Sequence, residues 1–167
     1  LADLMTIRER KGSFKGLKLC FIGDGNNMAN SLIVGGVKVG MSVSVACPKG
    51  YEPDAAVMAW ARENGTFEIG EDIPAMAKDA DVIYTDVWAS MGNESEIEER
   101  KKAFAGYQVN DAVMAVAKPD AMVQHCLPAH RGEEITEKVL EAHADEIFDE
   151  AENRLHAQKA VLVKLLK

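Results

Sequence analysis

The sequence predicts an α/β domain: a doubly wound, mainly parallel five-stranded sheet with helices on both faces, a Rossmann-like arrangement with helices at both termini. Three observations lead there. Short apolar runs alternate with longer segments of helical periodicity along the whole chain. Gly50, Pro53, Gly65, Gly70 and Pro119 punctuate the joints between them. Polar residues gather directly after three of the apolar runs, at Gly23-Asp24-Gly25-Asn26-Asn27, at Thr85 to Gly92 and at His125-Cys126-Leu127-Pro128. The carboxyl edge of an open sheet is where such folds bind ligands.

Each element has its own signal. Leu1, Leu4 and Met5 share one helical face with no capping residue before them, so the pattern begins mid-helix. Residues 17–22 read as the first strand and 27–39 as the helix after it. Strands at 42–46, 66–69, 81–85 and 121–124 follow, with helices at 54–64, 72–79, 94–104, 110–117 and 135–142. Ser95-Glu96-Ile97-Glu98 has the form of a capping box. Residues 146–148 are a further strand candidate, and 151–166 a closing helix. Right-handed crossovers and a doubly wound order set the first and fourth strands side by side, bringing Asn26 and Asn27 near Asp86. Val161, Leu162, Val163, Leu165 and Leu166 make the last helix apolar on nearly every face. It is expected to dock on a partner outside this chain; alternatively, the two terminal helices pack on each other. The favoured expectation is one domain, residues 1–167, cut from a longer protein.

Composition limits the function. The 19 Lys and Arg against 27 Asp and Glu leave a net charge of −8, which disfavours a nucleic-acid surface or an anionic membrane face. No run approaches the roughly 18 apolar residues of a membrane helix, and the start lacks the form of a signal peptide. Cys20, Cys47 and Cys126 are odd in number and without a Cys-x-x-Cys pattern, which reads as free thiols in a reducing cytoplasm.

Gly23-Asp24-Gly25 invites a dinucleotide reading, and a nucleotide-binding Rossmann module is the rival hypothesis. The third glycine of that fingerprint would fall at Met28, and the second strand runs into Cys47-Pro48-Lys49 instead of an acidic residue. The glycines more simply permit a tight turn, and an Asn at that point often serves only as a helix cap. Asp86 could be an ordinary turn former, but Trp88, Ser90, Met91 and Gly92 after it suit a loop that folds over a small ligand. Its carboxylate suits the ammonium group of a diamino acid. His125, Cys126 and His130 are discounted as metal ligands, because no carboxylate is patterned with them. His143 and His156 are expected to face solvent.

In their order along the chain, Gly23 to Asn27, Asp86 with Ser90-Met91-Gly92, His125 to Pro128 and Glu152-Asn153-Arg154 resemble the second half of the aspartate/ornithine carbamoyltransferase family, in its ornithine-specific form. The resemblance runs from residue 1 to the last helix. It implies transfer of a carbamoyl group from carbamoyl phosphate to the side-chain amine of ornithine, giving citrulline and phosphate, with no metal and no organic cofactor. It assigns Asn27, Asp86, Ser90 and Met91 to ornithine, and Cys126, Leu127 and Arg154 to carbamoyl phosphate. Asp86 and Cys126 are the catalytic candidates, the thiol as a hydrogen-bonding or proton-accepting partner rather than a thioester former. Aspartate-specific relatives need cationic side chains, and this loop has none. The family's carbamoyl-phosphate domain, with its Ser-x-Arg-Thr-Arg loop and His-Pro-x-Gln segment, is absent from these 167 residues. The chain is therefore expected to be inactive alone, and the resemblance implies that its parent is a trimer-based homo-oligomer. A carbamoyltransferase for putrescine or N-acetylornithine is the nearer alternative.

Overall fold

A computed structural model describes residues 1–89 and 97–166 of the chain. Thirteen elements follow one another among them: α1 (Ala2–Lys11), β1 (Lys18–Ile22), α2 (Asn27–Lys38), β2 (Ser42–Ala46), α3 (Ala55–Asn64), β3 (Phe67–Gly70), α4 (Ile73–Ala77), β4 (Val82–Thr85), α5 (Ile97–Ala103), α6 (Asp111–Val116), β5 (Met122–His125), α7 (Glu137–Ala142) and α8 (Ala144–Leu165). The five strands form one parallel sheet in the order β3-β2-β1-β4-β5. The order reverses between β1 and β4, so the loops leaving those two strands turn to opposite faces and leave a crevice between them.

Strands β1, β2, β4 and β5 are almost wholly buried and mostly apolar because both faces are covered, whereas the edge strand β3 is only partly buried. Alternation along β1 divides the core: Leu19 and Phe21 pack with Ile7, Leu32, Ile33 and Tyr84 on one face. Cys20 and Ile22 pack with Ile83, Phe104, Val123 and Ile147 on the other. Side-chain caps start the helices: Asn26, Asp54, Asp72, Asn110 and Thr136 each accept from backbone N–H groups one turn on.

The strand expected at 146–148 does not form; those residues belong to α8, which begins seven residues earlier than expected. β5 is an edge strand with outward N–H groups, and α8 covers that edge. Glu146 Oε2 accepts the Val123 N–H at 2.8 Å and Glu150 Oε2 accepts the His125 N–H at 3.2 Å. Two residues of strand advance about 6.7 Å and four residues of helix about 6.0 Å. The i, i+4 glutamates therefore keep step with alternate strand amides and take the place of a sixth strand. The capping box proposed at Ser95 lies largely outside the described residues.

The terminal helices do pack on each other: Asn153 Nδ2 donates to Thr6 Oγ1 at 3.0 Å and Glu9 Oε2 at 2.7 Å. That contact covers one face of α8 only. Leu155, Leu162, Val163 and Leu165 stay exposed.

Candidate functional site

The carboxyl ends of β1, β4 and β5 open into a groove of about 1040 Å³ bounded by α1 and α8. Asn27, Asp86, Cys126, Leu127, Glu150 and Arg154 line it. Residues far apart in sequence meet here because parallel strands deliver their ends to one edge.

The turn after β1 is set by close approach of the chain to itself. Gly23 has φ +142°, and Gly25 N–H donates to Tyr51 O at 2.8 Å. A Cβ on Gly25 would lie 2.2 Å from Pro53 N, so this glycine makes room for residues 51–53 and not for a phosphate. Asn26 then caps α2: its Oδ1 accepts from Met28 N at 2.9 Å and Ala29 N at 3.2 Å. That leaves Nδ2 to donate to Asp86 Oδ2 at 2.9 Å. Asn27, the first residue of α2, is exposed and faces the groove.

Asp86 is 6% exposed. Its Oδ1 accepts the Val87 N–H at 2.8 Å and the Cys126 Sγ–H at 3.0 Å. Burial, and then the adjacent Asp86, push the Cys126 thiol well above its ordinary pKa. In this arrangement the thiol is the donor and the Asp86 carboxyl the acceptor, which is the hydrogen-bonding form of the two roles expected for it. On the far side of the Asp86 loop, Trp88 stacks on Phe104 at 6.3 Å and donates from Nε1 to Tyr107 O at 3.1 Å. Arg100 Nη1 donates to Asp24 Oδ2 at 2.7 Å and to Trp88 O at 3.0 Å, tying α5 to the turn after β1. Ser90 and Met91, two of the expected ornithine ligands, lie outside the described residues.

Three groups at the base of the groove escape sequence reasoning. Tyr84 Oη lies 2.9 Å from Asp3 Oδ1 and 2.7 Å from Glu150 Oε1. Burial, followed by the Asp3 charge, raises Glu150 from 4.5 to about 8. A phenol has one proton to give. With its carboxyl proton on Oε1, Glu150 donates to Tyr84, and Tyr84 donates onward to Asp3. The signal in the sequence was the spacing of Glu150 from Arg154, one helical turn, which puts both on one face. Nothing in the sequence marks Asp3 or Tyr84.

Leu127 takes φ +54°, and the Leu127-Pro128 peptide is cis. Leu127 N–H donates to His125 Nδ1 at 2.9 Å, and His125 Nε2 lies 3.1 Å from Glu134 Oε1. Both side chains are wholly buried. A carboxyl group is thus matched to His125, contrary to the sequence reading. His130, Glu133 and Glu134 also place three ligand-type atoms within 4.8 Å of one another. Two of these residues are already engaged: Glu134 Oε1 accepts the His130 N–H at 2.6 Å, and Glu133 pairs with Lys101 at 2.9 Å. Arg154 is exposed at the rim of the groove. His156 is exposed as expected, whereas His143 is half-buried against Glu146 at 2.8 Å.

An open parallel α/β sheet whose switch point presents a buried carboxyl group, an amide, a thiol and a rim arginine around one groove has the form of a small-molecule-binding domain. The family model for the aspartate/ornithine carbamoyltransferase Asp/Orn binding domain matches residues 15–165, and the chain belongs to that family. It is 57% identical to the ornithine carbamoyltransferase of Pyrococcus abyssi and 53% identical to that of Geobacter sulfurreducens. The alignments cover 99% and 100% of the chain but 54% and 56% of those proteins. Among solved structures, the ornithine carbamoyltransferase of Pyrococcus furiosus superposes with a TM-score of 0.89 at 56% identity, covering 96% of this chain and 53% of that one. The anabolic enzyme of Campylobacter jejuni gives 0.92 at 40% identity, covering 98% and 56%. The chain spans about half the length of the curated relatives it matches. The nucleotide-binding alternative is not favoured.

Proposed function

We propose that the longer protein containing this chain transfers the carbamoyl group of carbamoyl phosphate to the side-chain amine of ornithine, and that this chain supplies the ornithine-binding half. The observation that carries the reading is Asp86: a buried carboxyl group held by Asn26, the Val87 N–H and the Cys126 thiol, facing a groove large enough for an amino acid. An alkylammonium has a pKa near 10.4 in water, so ornithine arrives with its side-chain amine protonated. Attack needs the neutral amine, aimed at the carbonyl carbon. Asp86 accepts a hydrogen bond from that nitrogen and orients it, while the Cys126 S–H keeps the carboxyl from turning away. The ammonium proton leaves to solvent as ornithine binds; as the new C–N bond forms, the C–O bond to phosphate breaks, and the departing phosphate takes up the proton that the attacking nitrogen sheds.

Asn27, with Ser90 and Met91, holds the α-amino and carboxylate end. The Cys126 and Leu127 carbonyls hold the carbamoyl NH₂, and Arg154 offers one positive charge to the phosphate. Stabilising a departing phosphate takes several placed donors. We therefore assign the rest to a separate carbamoyl-phosphate domain that packs on the exposed apolar side of α8, in a parent that assembles as a trimer-based homo-oligomer. Ornithine is favoured over its analogues because the Ser90-Met91-Gly92 motif is intact. Putrescine lacks the α-carboxylate, and N-acetylornithine lacks the free α-amine. The test is release of phosphate and formation of the corresponding carbamoylated amine by the full-length protein, with carbamoyl phosphate and each of the three amines in turn. Preference for ornithine by at least tenfold in kcat/KM supports the reading, and preference for either analogue overturns it.

A further inference from the structure

Between β5 and α7 one buried carboxyl group joins both ends of the loop that carries Cys126. Glu134 Oε1 accepts the His130 N–H at 2.6 Å and faces His125 Nε2 at 3.1 Å. The far side of the imidazole settles its tautomer. His125 Nδ1 accepts the Leu127 N–H at 2.9 Å, so Nδ1 carries a lone pair and the ring proton sits on Nε2, where Glu134 receives it. His125 and Glu134 are both 0% exposed, so no water substitutes for either partner at the surface.

Glu134 is itself held fast. Its carbonyl accepts the Val109 N–H at 2.8 Å, Val109 O accepts the Thr136 N–H at 3.0 Å, and Ile135 bridges to Val109 and Arg131. Gln108 Nε2 donates to Gly132 O and Glu133 O at 2.9 and 2.8 Å. The loop thus hangs from a fixed base. What it holds is unfavourable by itself: Leu127 at φ +54° is a left-handed conformation that branched residues avoid, and it persists where surroundings impose it. Among the described residues Glu134 Oε2 has no hydrogen-bond partner. A fully buried carboxyl group satisfied on one oxygen only is costly, and such exceptions gather at functional sites.

We propose that Glu134 is a positioning residue for carbamoyl transfer: through the His125 ring it fixes the Cys126–Leu127 backbone that holds the carbamoyl group. The inference rests on the function proposed above. Without Glu134 the ring is free to turn or to move its proton to Nδ1, and the Leu127 N–H loses its acceptor. The Leu127 carbonyl then drifts from the carbamoyl NH₂. Asn27 stands at the start of α2, outside this loop, and keeps its grip on the α-groups of ornithine.

The test has two arms. In the 167-residue chain, imidazole ¹⁵N shifts report the tautomer directly. One Nε2-protonated form of His125 is expected in the wild type and a mixture in Glu134→Ala; a tautomer mixture in the wild type overturns the inference without touching the proposed function. In the full-length protein, Glu134→Ala is expected to lower kcat by about 10- to 100-fold, the scale of a misplacement near 1 Å, and to raise the KM for carbamoyl phosphate. The KM for ornithine should stay within about twofold. Glu134→Gln keeps an oxygen acceptor for both His125 and His130 and should restore turnover to within a few-fold of wild type. Where the Ala variant does not fold, Glu134→Asp replaces it, its shorter side chain being unable to reach both histidines. Normal kcat in a folded Ala or Asp variant overturns the inference, as do equal losses for both substrates or a Gln variant as impaired as Ala. A wild-type protein without carbamoyl transfer overturns the proposed function, and the positioning role of Glu134 with it.

Discussion

Replacing Glu150 by Gln should remove most of one pH-dependent contribution to stability. Glu150 is 4% exposed, and burial, then the Asp3 charge, lifts its pKa from 4.5 to about 8. An acid with a raised folded pKa binds its proton more tightly when folded. Its contribution is complete below about 4.5 and is lost as pH rises through about 8. Each unit of separation is worth about 1.4 kcal/mol, so the full loss is on the order of 4–5 kcal/mol. Glu150→Gln keeps an oxygen for the His125 N–H and places an amide donor where the carboxyl proton sat, towards Tyr84. In a domain of this size 1 kcal/mol moves Tm by about 2–4 °C. Thermal melts of the two chains from about pH 5 to about pH 9 should therefore start close together. They should diverge by on the order of 10 °C, the wild type falling below the variant. Melting temperatures that run parallel across the range would show that Glu150 holds no such proton.

Further outcomes follow from the same geometry. Gly25→Ala puts a Cβ 2.2 Å from Pro53 N; this should cost about 1–3 kcal/mol or more, read as a lowered Tm. The raised Cys126 thiol should react slowly with iodoacetamide near pH 8, because the thiolate is the nucleophile. Asp86→Asn removes the negative charge that helps raise it, so alkylation, followed by mass spectrometry, should quicken. Asn27→Ala should raise the KM for ornithine with kcat nearly intact in the full-length protein.

The sheet was legible because its signals are local and periodic. Apolar runs bounded by Gly and Pro gave all five strands to within a residue or two, and the switch-point order brought the Asn26–Asn27 turn beside Asp86. The misread segment at 146–148 shows where such signals end. Glu146-Ile147-Phe148 has too few residues to separate a strand from a helix, and what decides the matter is the unpaired edge of β5, which the two glutamates of α8 satisfy. The motif residues were legible as polar groups after strands. Their support was not: Asp3 and Tyr84 meet Glu150 across 147 and 66 positions, and Glu134 reaches His125 only after the chain has turned back. The exchange of roles within Asn26-Asn27, one capping the helix and holding Asp86 while the other faces the groove, depends on where α2 begins. The state of the Cys126 thiol depends on burial that sequence does not reveal.

The claim that Asp86 and Cys126 act together on the attacking amine is tested most directly by kcat for Asp86→Asn, Cys126→Ala and the double variant of the full-length protein. Each single change is expected to lower kcat by on the order of 10²- to 10⁴-fold. Because the thiol donates to the same carboxyl group at 3.0 Å, the double variant should lose much less than the product of the two single losses. Losses that multiply would mean two independent roles. Near-normal turnover in a folded Cys126→Ala variant would reduce the thiol to a packing residue.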